Sequence, residues 1–455
     1  MNRASIVSEM IDRRPLSRFQ KGTMALCGLV IVLDGFDAQS IGFLAPSMAD
    51  TLHIPINTFG PVFGFALFGL MISAMASGLF ADRWGRKWPV IVSTVLFGIF
   101  AALTARATTI GQLKLLRFLT GLGLGGAMAN VVALLSEYAP KRLLSVYVSI
   151  LYCGMPIGAL LGGLMGWVLL PRLGWQSVFY AGGILPLALS VALIVMLPES
   201  VRFLEVRGAD HRKIAKIMAR ISPDLASPDL YLGLPRVDLR KSMPVKYLFA
   251  EGRAMGTILL WIPYFMNLLI LYFVVSWLPS LLRQGKFPIS AGITAVILFS
   301  SGGALGSYAE GYMMDWWGAF TVMLAEFVLS ALLIASLAFS KSFLVTMAIT
   351  LVLGFVVQGA QGALGALAAT FYPTAIRSTG VGWALGIGRI GSIVGPMLGG
   401  MMLARDWGPR EIFLAGTIPA LCAVAATLLS SWLAKSSSGY RPKTEDLEKP
   451  PLSPS

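Results

Sequence analysis

Apolar residues in this chain come in unbroken runs of about twenty, parted by short polar stretches, and show neither the alternation of a strand nor the one-sided stripe of a surface helix. A helix that is hydrophobic all round is either a buried core element or a membrane span. Roughly twenty residues at 1.5 Å each cross the ~30 Å hydrocarbon of a bilayer. Twelve such runs are present, at 22–48, 59–81, 89–107, 112–135, 143–169, 175–197, 254–282, 290–311, 319–339, 343–369, 380–403 and 411–434. The pattern predicts an all-α polytopic membrane protein of two six-helix bundles, 22–197 and 254–434. A linker at 198–253 joins them, and tails at 1–21 and 435–455 flank them.

Composition agrees with the pattern. Of 455 residues, 56% are hydrophobic and 13% charged, whereas a soluble domain carries about 25% charged residues to face water. A disordered chain would be poor in aliphatic and aromatic residues. Cys27, Cys153 and Cys422 all lie inside apolar runs and read as packing residues, not as a disulfide framework.

The net charge of +14 changes the picture only through its placement. Lys and Arg number twenty-six on the side of the tails and the linker and eight on the other, with Arg117 and Arg389 inside spans. Positive residues stay on the cytoplasmic side, so both termini and the linker are expected in the cytoplasm. The charge serves topology and attraction to anionic lipid, which leaves nucleic acid without a role. In the linker, Arg207, Arg212, Lys213, Lys216 and Arg220 fit an amphipathic helix lying on the lipid surface.

The two halves echo one another. Gly78-Leu79-Phe80-Ala81-Asp82-Arg83-Trp84-Gly85 closes span 2, and Gly311-Tyr312-Met313-Met314-Asp315-Trp316-Trp317-Gly318 closes span 8, 233 residues later. Gly158-x-x-x-Gly162-Gly163 in span 5 recurs as Gly395-x-x-x-Gly399-Gly400 in span 11, at an offset of 237. Glycines four apart allow close helix approach, and two echoes at nearly one offset indicate duplication. Six-helix parallel repeats that bind near the bilayer midplane describe one large class of secondary transporter.

The segment from Gly78 to Lys87 resembles the loop signature of the major facilitator superfamily, as do Arg117-Phe118-Leu119-Thr120-Gly121, Pro198-Glu199-Ser200 and Tyr372-Pro373-Thr374-Ala375-Ile376-Arg377. Within it, Asp34-Gly35-Phe36-Asp37 and Gly388-Arg389-Ile390-Gly391 are similar to the aromatic acid:proton symporter family. The resemblance implies import of benzoate-type acids for aromatic catabolism. In the second half Ala319 and Phe320 replace the basic residues that follow the first loop motif, so the charged lock is expected to be asymmetric.

Buried charge is the candidate chemistry. Asp34 and Asp37 share one face of span 1 near mid-membrane. A charge at that depth costs at least about 2.5 kcal/mol and usually marks an ion or proton pathway. Neighbouring acids repel when both are ionised, which suits them to carrying a proton. Arg117 and Arg389 offer planar forks that match a substrate carboxylate; the alternative is ion pairing with the aspartates. Tyr264 and Asn267 in span 7, and Gln358 and Gln361 in span 10, lie on helices that line the cavity of that superfamily. Stacking on a ring or bonding its hydroxyl would be their part, with helix packing the alternative. Glu326 in span 9 stays unassigned. Gly78, Asp82, Gly85, Arg86, Glu137, Arg142, Asp315 and Arg377 are expected to gate the inner side through ion pairs and helix-end contacts.

Other matches carry less. Gly121-x-Gly123-x-x-Gly126 lacks the strand that a dinucleotide site needs, no phosphate-binding loop with Lys and Ser/Thr exists, and His53 and His211 are the only histidines. No cofactor, metal, enzymatic activity or protein partner is implied. The partners expected are a small aromatic carboxylate, protons and the bilayer. A proton-coupled carrier of another organic acid or a sugar is the competing reading, while a channel would need a continuous polar pore.

Overall fold

The computed structural model describes residues 16–140, 143–206, 211–222, 245–250, 252–373 and 376–436. Among these, twelve helices are long and apolar enough to cross a membrane. They are α1 (Arg18–Leu52), α2 (Phe59–Trp84), α3 (Lys87–Thr104), α4 (Ile110–Tyr138), α5 (Leu144–Leu173), α6 (Trp175–Met196), α7 (Ala254–Gln284), α8 (Ile289–Trp317), α9 (Ala319–Leu337), α10 (Phe343–Phe371), α11 (Arg377–Leu403) and α12 (Pro409–Ser436). An even number of crossings places the start of α1 and the end of α12 on one face, here the terminal face; the opposite one is the distal face.

Local signals set the helix ends. Ser17 caps α1 in a reciprocal box, with Gln20 N donating to Ser17 Oγ at 3.2 Å and Ser17 N donating to Gln20 Oε1 at 3.0 Å. α2 and α8 stop at Gly85 (φ 84°) and Gly318 (φ 79°), a backbone region essentially restricted to glycine. α8 runs six residues past the expected end at 311, because Gly311–Trp317 forms its last turns instead of a loop.

Packing repeats the duplication in three dimensions. α2 packs on α4 as α8 does on α10, α1 on α5 as α7 on α11, and α3 on α6 as α9 on α12. The close approaches match residue for residue. A Cβ on Gly69 would strike the Phe118 carbonyl and one on Gly302 the Leu351 carbonyl, both pairs 233 apart. One on Gly158 would strike Val32 and one on Gly395 Leu269, both pairs 237 apart. Between the halves, α5 packs on α8, α2 on α11 and α1 on α7.

The linker differs from expectation. Short helices cover Val201–Val206 and His211–Met218. Ile214, Ala215 and Met218 are buried, Ile217 and Ile221 pack against the N-terminal core, and the Arg220 guanidinium lies 4.2 Å from the Phe19 ring centroid. The apolar face is therefore covered by protein, not lipid; Arg207 lies outside the described residues.

Candidate functional site

Asp34 is sixteen residues past the first residue of α1, about 24 Å along a helix rising 1.5 Å per residue. Both aspartates are buried near the middle of this helix. Asp37 accepts from Arg117 Nη1 at 3.0 Å. Arg117 Nη2 donates to Thr104 Oγ1 and Thr120 Oγ1, each at 3.0 Å, and its guanidinium carbon is 4.9 Å from the Phe179 centroid. The alternative weighed for Arg117, an internal ion pair, is what the structure contains. Asp37 Oδ1 and Arg117 Nε have no hydrogen-bond partner among the described residues, so the pair is tied together but incompletely satisfied. Such a pair costs several kcal/mol to break one-sidedly.

Asp34 is less well matched. Its Oδ1 has no hydrogen-bond partner among the described residues, and Arg389 is close enough for the two charges to act on one another. Among the described residues the half-buried Arg389 hydrogen-bonds to Tyr272, with Nη1 donating to the hydroxyl at 3.5 Å, and its charge also acts on Tyr152. Tyr272 and Tyr152 were not among the expected site residues. Tyr272 could have been found, since it lies eight residues after Tyr264 on one helix face; Tyr152 carries no such signal.

Tyr272 also lines a narrow cavity with Asp37, Arg117, Phe63, Leu67 and Ser276. That cavity holds about 20 Å³, room for one water. On its distal side the halves are sealed. Arg283 of α7 pairs with Asp50 of α1 and donates from Nη1 to the Pro46 carbonyl at 3.0 Å. Phe63 of α2 meets Trp277 of α7 edge to face at 5.3 Å, and Gly60 lies against Gly400.

The span 7 and span 10 candidates divide. Asn267 Nδ2 donates to the Val357 carbonyl at 3.3 Å and Gln358 Nε2 to the Phe299 carbonyl at 3.2 Å, so both amides tie helices of the C-terminal bundle together. The buried Tyr264 hydroxyl and Gln361 Nε2 have no hydrogen-bond partner among the described residues.

At the terminal face the organising residue is Glu199. Its Oε1 accepts from the amides of Arg86 at 2.8 Å, Lys87 at 3.1 Å and Ser200 at 2.8 Å, capping the positive N-terminus of α3. Its carboxylate stands where a Cβ on Gly85 would be. Arg86 Nε pairs with Glu137 at 3.2 Å, Ser200 Oγ donates to Glu137 at 2.7 Å, and Tyr138 donates to the Glu199 carbonyl at 2.6 Å. Glu199 was read as a family signature and not as a site residue; only folding shows that it reaches α3. Gly78 has open space around it, Asp315 is exposed with no hydrogen bond or ion pair among the described residues, and Arg377 Nε donates to the Tyr372 carbonyl at 3.4 Å. The Asp82 side chain and Arg142 lie outside the described residues.

Two duplicated six-helix bundles enclosing charged residues at mid-depth define a secondary transporter fold. The chain belongs to the Major Facilitator Superfamily, whose model matches residues 27–363 and 298–454. It is 39% identical to the 4-hydroxybenzoate transporter PcaK of Pseudomonas aeruginosa over 95% of this chain and 97% of that protein. It is equally 39% identical to a gallate transporter of Pseudomonas putida, over 93% of this chain and 94% of that one. Among solved structures, the xylose transporter XylE from E. coli, in a partially occluded inward-open conformation, shares the fold at a TM-score of 0.71 and 17% identity, covering 91% and 98% of the two chains.

Proposed function

We propose that this protein imports aromatic carboxylic acids of the hydroxybenzoate and benzoate class together with protons, by alternating access across a bacterial inner membrane, with both termini cytoplasmic. The observation that carries the reading is the unequal treatment of two buried aspartates. Asp37 is held by Arg117, while Asp34 keeps an unpartnered oxygen beside an Arg389 whose own hydrogen bonding is incomplete. The names of the similar transporters supply the substrate class, and the charge asymmetry of the loops supports the sidedness.

In this mechanism Arg389 presents its fork to the substrate carboxylate, with Tyr272 steadying it and the tyrosine rings offering faces for a benzene ring. A proton on Asp34 cancels the competing carboxylate, so substrate and proton occupy the site together. Protonation of Asp37 weakens its hold on Arg117 and loosens α1 from α4. The Arg283–Asp50 and Phe63–Trp277 contacts must part for substrate to enter from the distal side. At the terminal face, Arg86, Glu137 and Glu199 hold the loop after α2 rigid while the halves rock, with Gly78, Asp82, Arg142, Asp315 and Arg377 at the same face.

The test is uptake of labelled 4-hydroxybenzoate into proteoliposomes under a pH gradient. Benzoate should compete, hexoses and dicarboxylates should not, and a protonophore should collapse accumulation. Competition by hexose, or accumulation indifferent to the protonophore, would sink the reading in favour of another organic acid, a sugar or another driving ion.

A further inference from the structure

A second pair of carboxyl groups lies outside the central site. Glu310 is seven residues before the end of α8 and Glu326 seven residues after the start of α9, which sets both about 10 Å inside the terminal face at 1.5 Å per residue. Each is 2% exposed. A Cβ on Gly359 of α10 would meet Glu326 Oε1 at 2.9 Å and Glu310 Oε2 at 3.2 Å, and one on Gly362 would meet Glu310 Cγ at 3.0 Å. The facing helix thus leaves a cradle into which both side chains turn.

The two carboxyl groups thus converge over Gly359, and among the described residues none of their four oxygens has a hydrogen-bond partner. Two ionised carboxylates offer each other only acceptors. Among the described residues no cation donates to either carboxyl. The 343–371 stretch of α10 holds no ionisable residue, and α9 holds only Glu326. The other ionisable groups of α8 are Tyr308, Tyr312 and Asp315, all exposed. On the helices packed beside them, α12 carries Arg410, Glu411, Cys422 and Lys435, α5 carries Tyr147, Tyr152, Cys153 and Arg172, and α7 carries Tyr264, Tyr272 and Arg283. On α1, which also touches α8, the groups are Arg18, Lys21, Cys27, Asp34, Asp37 and Asp50.

The duplication supplies an independent observation. At an offset of 233 the repeat partners of Gly359, Glu326 and Glu310 are Gly126, Ser93 and Ser77. A Cβ on Gly126 would likewise meet the Ser93 hydroxyl, and Ser77 satisfies itself by donating to the Ala74 carbonyl at 2.8 Å. The same three-helix junction is therefore packed in the other half by small neutral hydroxyls. Its geometry does not require acids, and their presence here calls for a ligand that two facing carboxyls can hold.

We infer that Glu310 and Glu326 form a second proton-binding site of the carrier, in which one exchangeable proton bridges the two carboxyl groups and ties α8 to α9 beside α10. With the proton in place one oxygen becomes a donor and the contact a charge-assisted hydrogen bond. Its loss sets two like charges against each other in an apolar junction. The stabilisation is present at low pH and is lost as pH rises through the point where the shared proton leaves. The inference deepens the proton-coupled reading, but the proton itself is observable without substrate or transport.

The experiment uses the full-length carrier without substrate, in wild-type form and as Glu310→Gln, Glu326→Gln and the Glu310→Ser/Glu326→Ser double variant that copies the other half. Infrared difference spectra between acid and alkaline pH report the C=O stretch of protonated carboxyls, and a background of Asp34→Asn with Asp37→Asn removes the signal from α1. Wild type should show a band that vanishes on alkalinisation, and each glutamine variant should lack it. The wild-type melting temperature should fall as pH rises, and all three variants should lose that fall. A band and a melting slope unchanged in the glutamine variants would overturn the shared proton. So would sodium restoring the alkaline stability of wild type, since the pair would then hold a metal cation. Failure of pH-driven uptake in the proteoliposome assay, with the band intact, would instead count against the transport reading alone.

Discussion

The two halves share a backbone plan and differ in where they keep charge. In the N-terminal half, Asp37 and Arg117 form a buried ion pair, and Glu199, Arg86 and Glu137 tie the loop after α2 to its neighbours. Their C-terminal counterparts by the same offsets are plain. Val274 stands where Asp37 would be and Thr350 where Arg117 would be, with Thr350 Oγ1 donating to the Thr346 carbonyl at 2.8 Å. Gly318 faces open space where Gly85 faces a carboxylate. Helix approach is set by glycine against carbonyl, a backbone property that duplication preserves. Charge is a side-chain property that can diverge once packing is secure, so charge on one side only marks function and not fold.

The sharpest way to break that comparison is at Asp34. Asp34→Asn should abolish accumulation driven by a pH gradient while exchange of labelled for unlabelled substrate persists, because the amide has the shape of a protonated carboxyl but cannot release a proton. Retained, protonophore-sensitive accumulation would make this aspartate structural.

Next comes the ion pair. Asp37→Val alone should cost about 3–5 kcal/mol of stability by stranding the Arg117 guanidinium. Asp37→Val with Arg117→Thr, which copies the other half, should recover most of it in thermal unfolding while uptake stays lost. If the double variant is no more stable than the single, the pair is part of the fold after all.

A smaller effect is expected at Arg389, whose repeat partner at the offset of 237 is Tyr152. Arg389→Lys keeps the charge and loses the fork, and carboxylate uptake should fall roughly tenfold, about 1.4 kcal/mol in the barrier. Normal transport by this variant would exclude two-point holding of the substrate by Arg389.

The smallest difference tests the loops. Gly318→Ala should cost about 1–3 kcal/mol from its positive φ and extended ψ alone. Gly85→Ala should cost more, because the same strain comes with displacement of the Glu199 carboxylate from the start of α3. Equal losses in matched thermal melts would show that the charged lock adds nothing to the N-terminal loop.

The chain alone determined the twelve crossings, the six-and-six division and the duplication, because span length, loop charge and glycine spacing are local along the sequence and the bilayer enforces them one segment at a time. It also marked Asp34, Asp37, Arg117 and Arg389, since charge inside an apolar run is expensive wherever it falls. Tertiary structure decided which charge meets which. Arg117 turns to Asp37 eighty residues away, Glu199 crosses over a hundred residues to cap α3, Asn267 and Gln358 spend their amides on neighbouring backbones, and Glu310 and Glu326 converge over Gly359 of a third helix. None of these pairings has a period or spacing to reveal it, because helix rotation and crossing geometry, summed over whole bundles, choose the partner of a buried polar group.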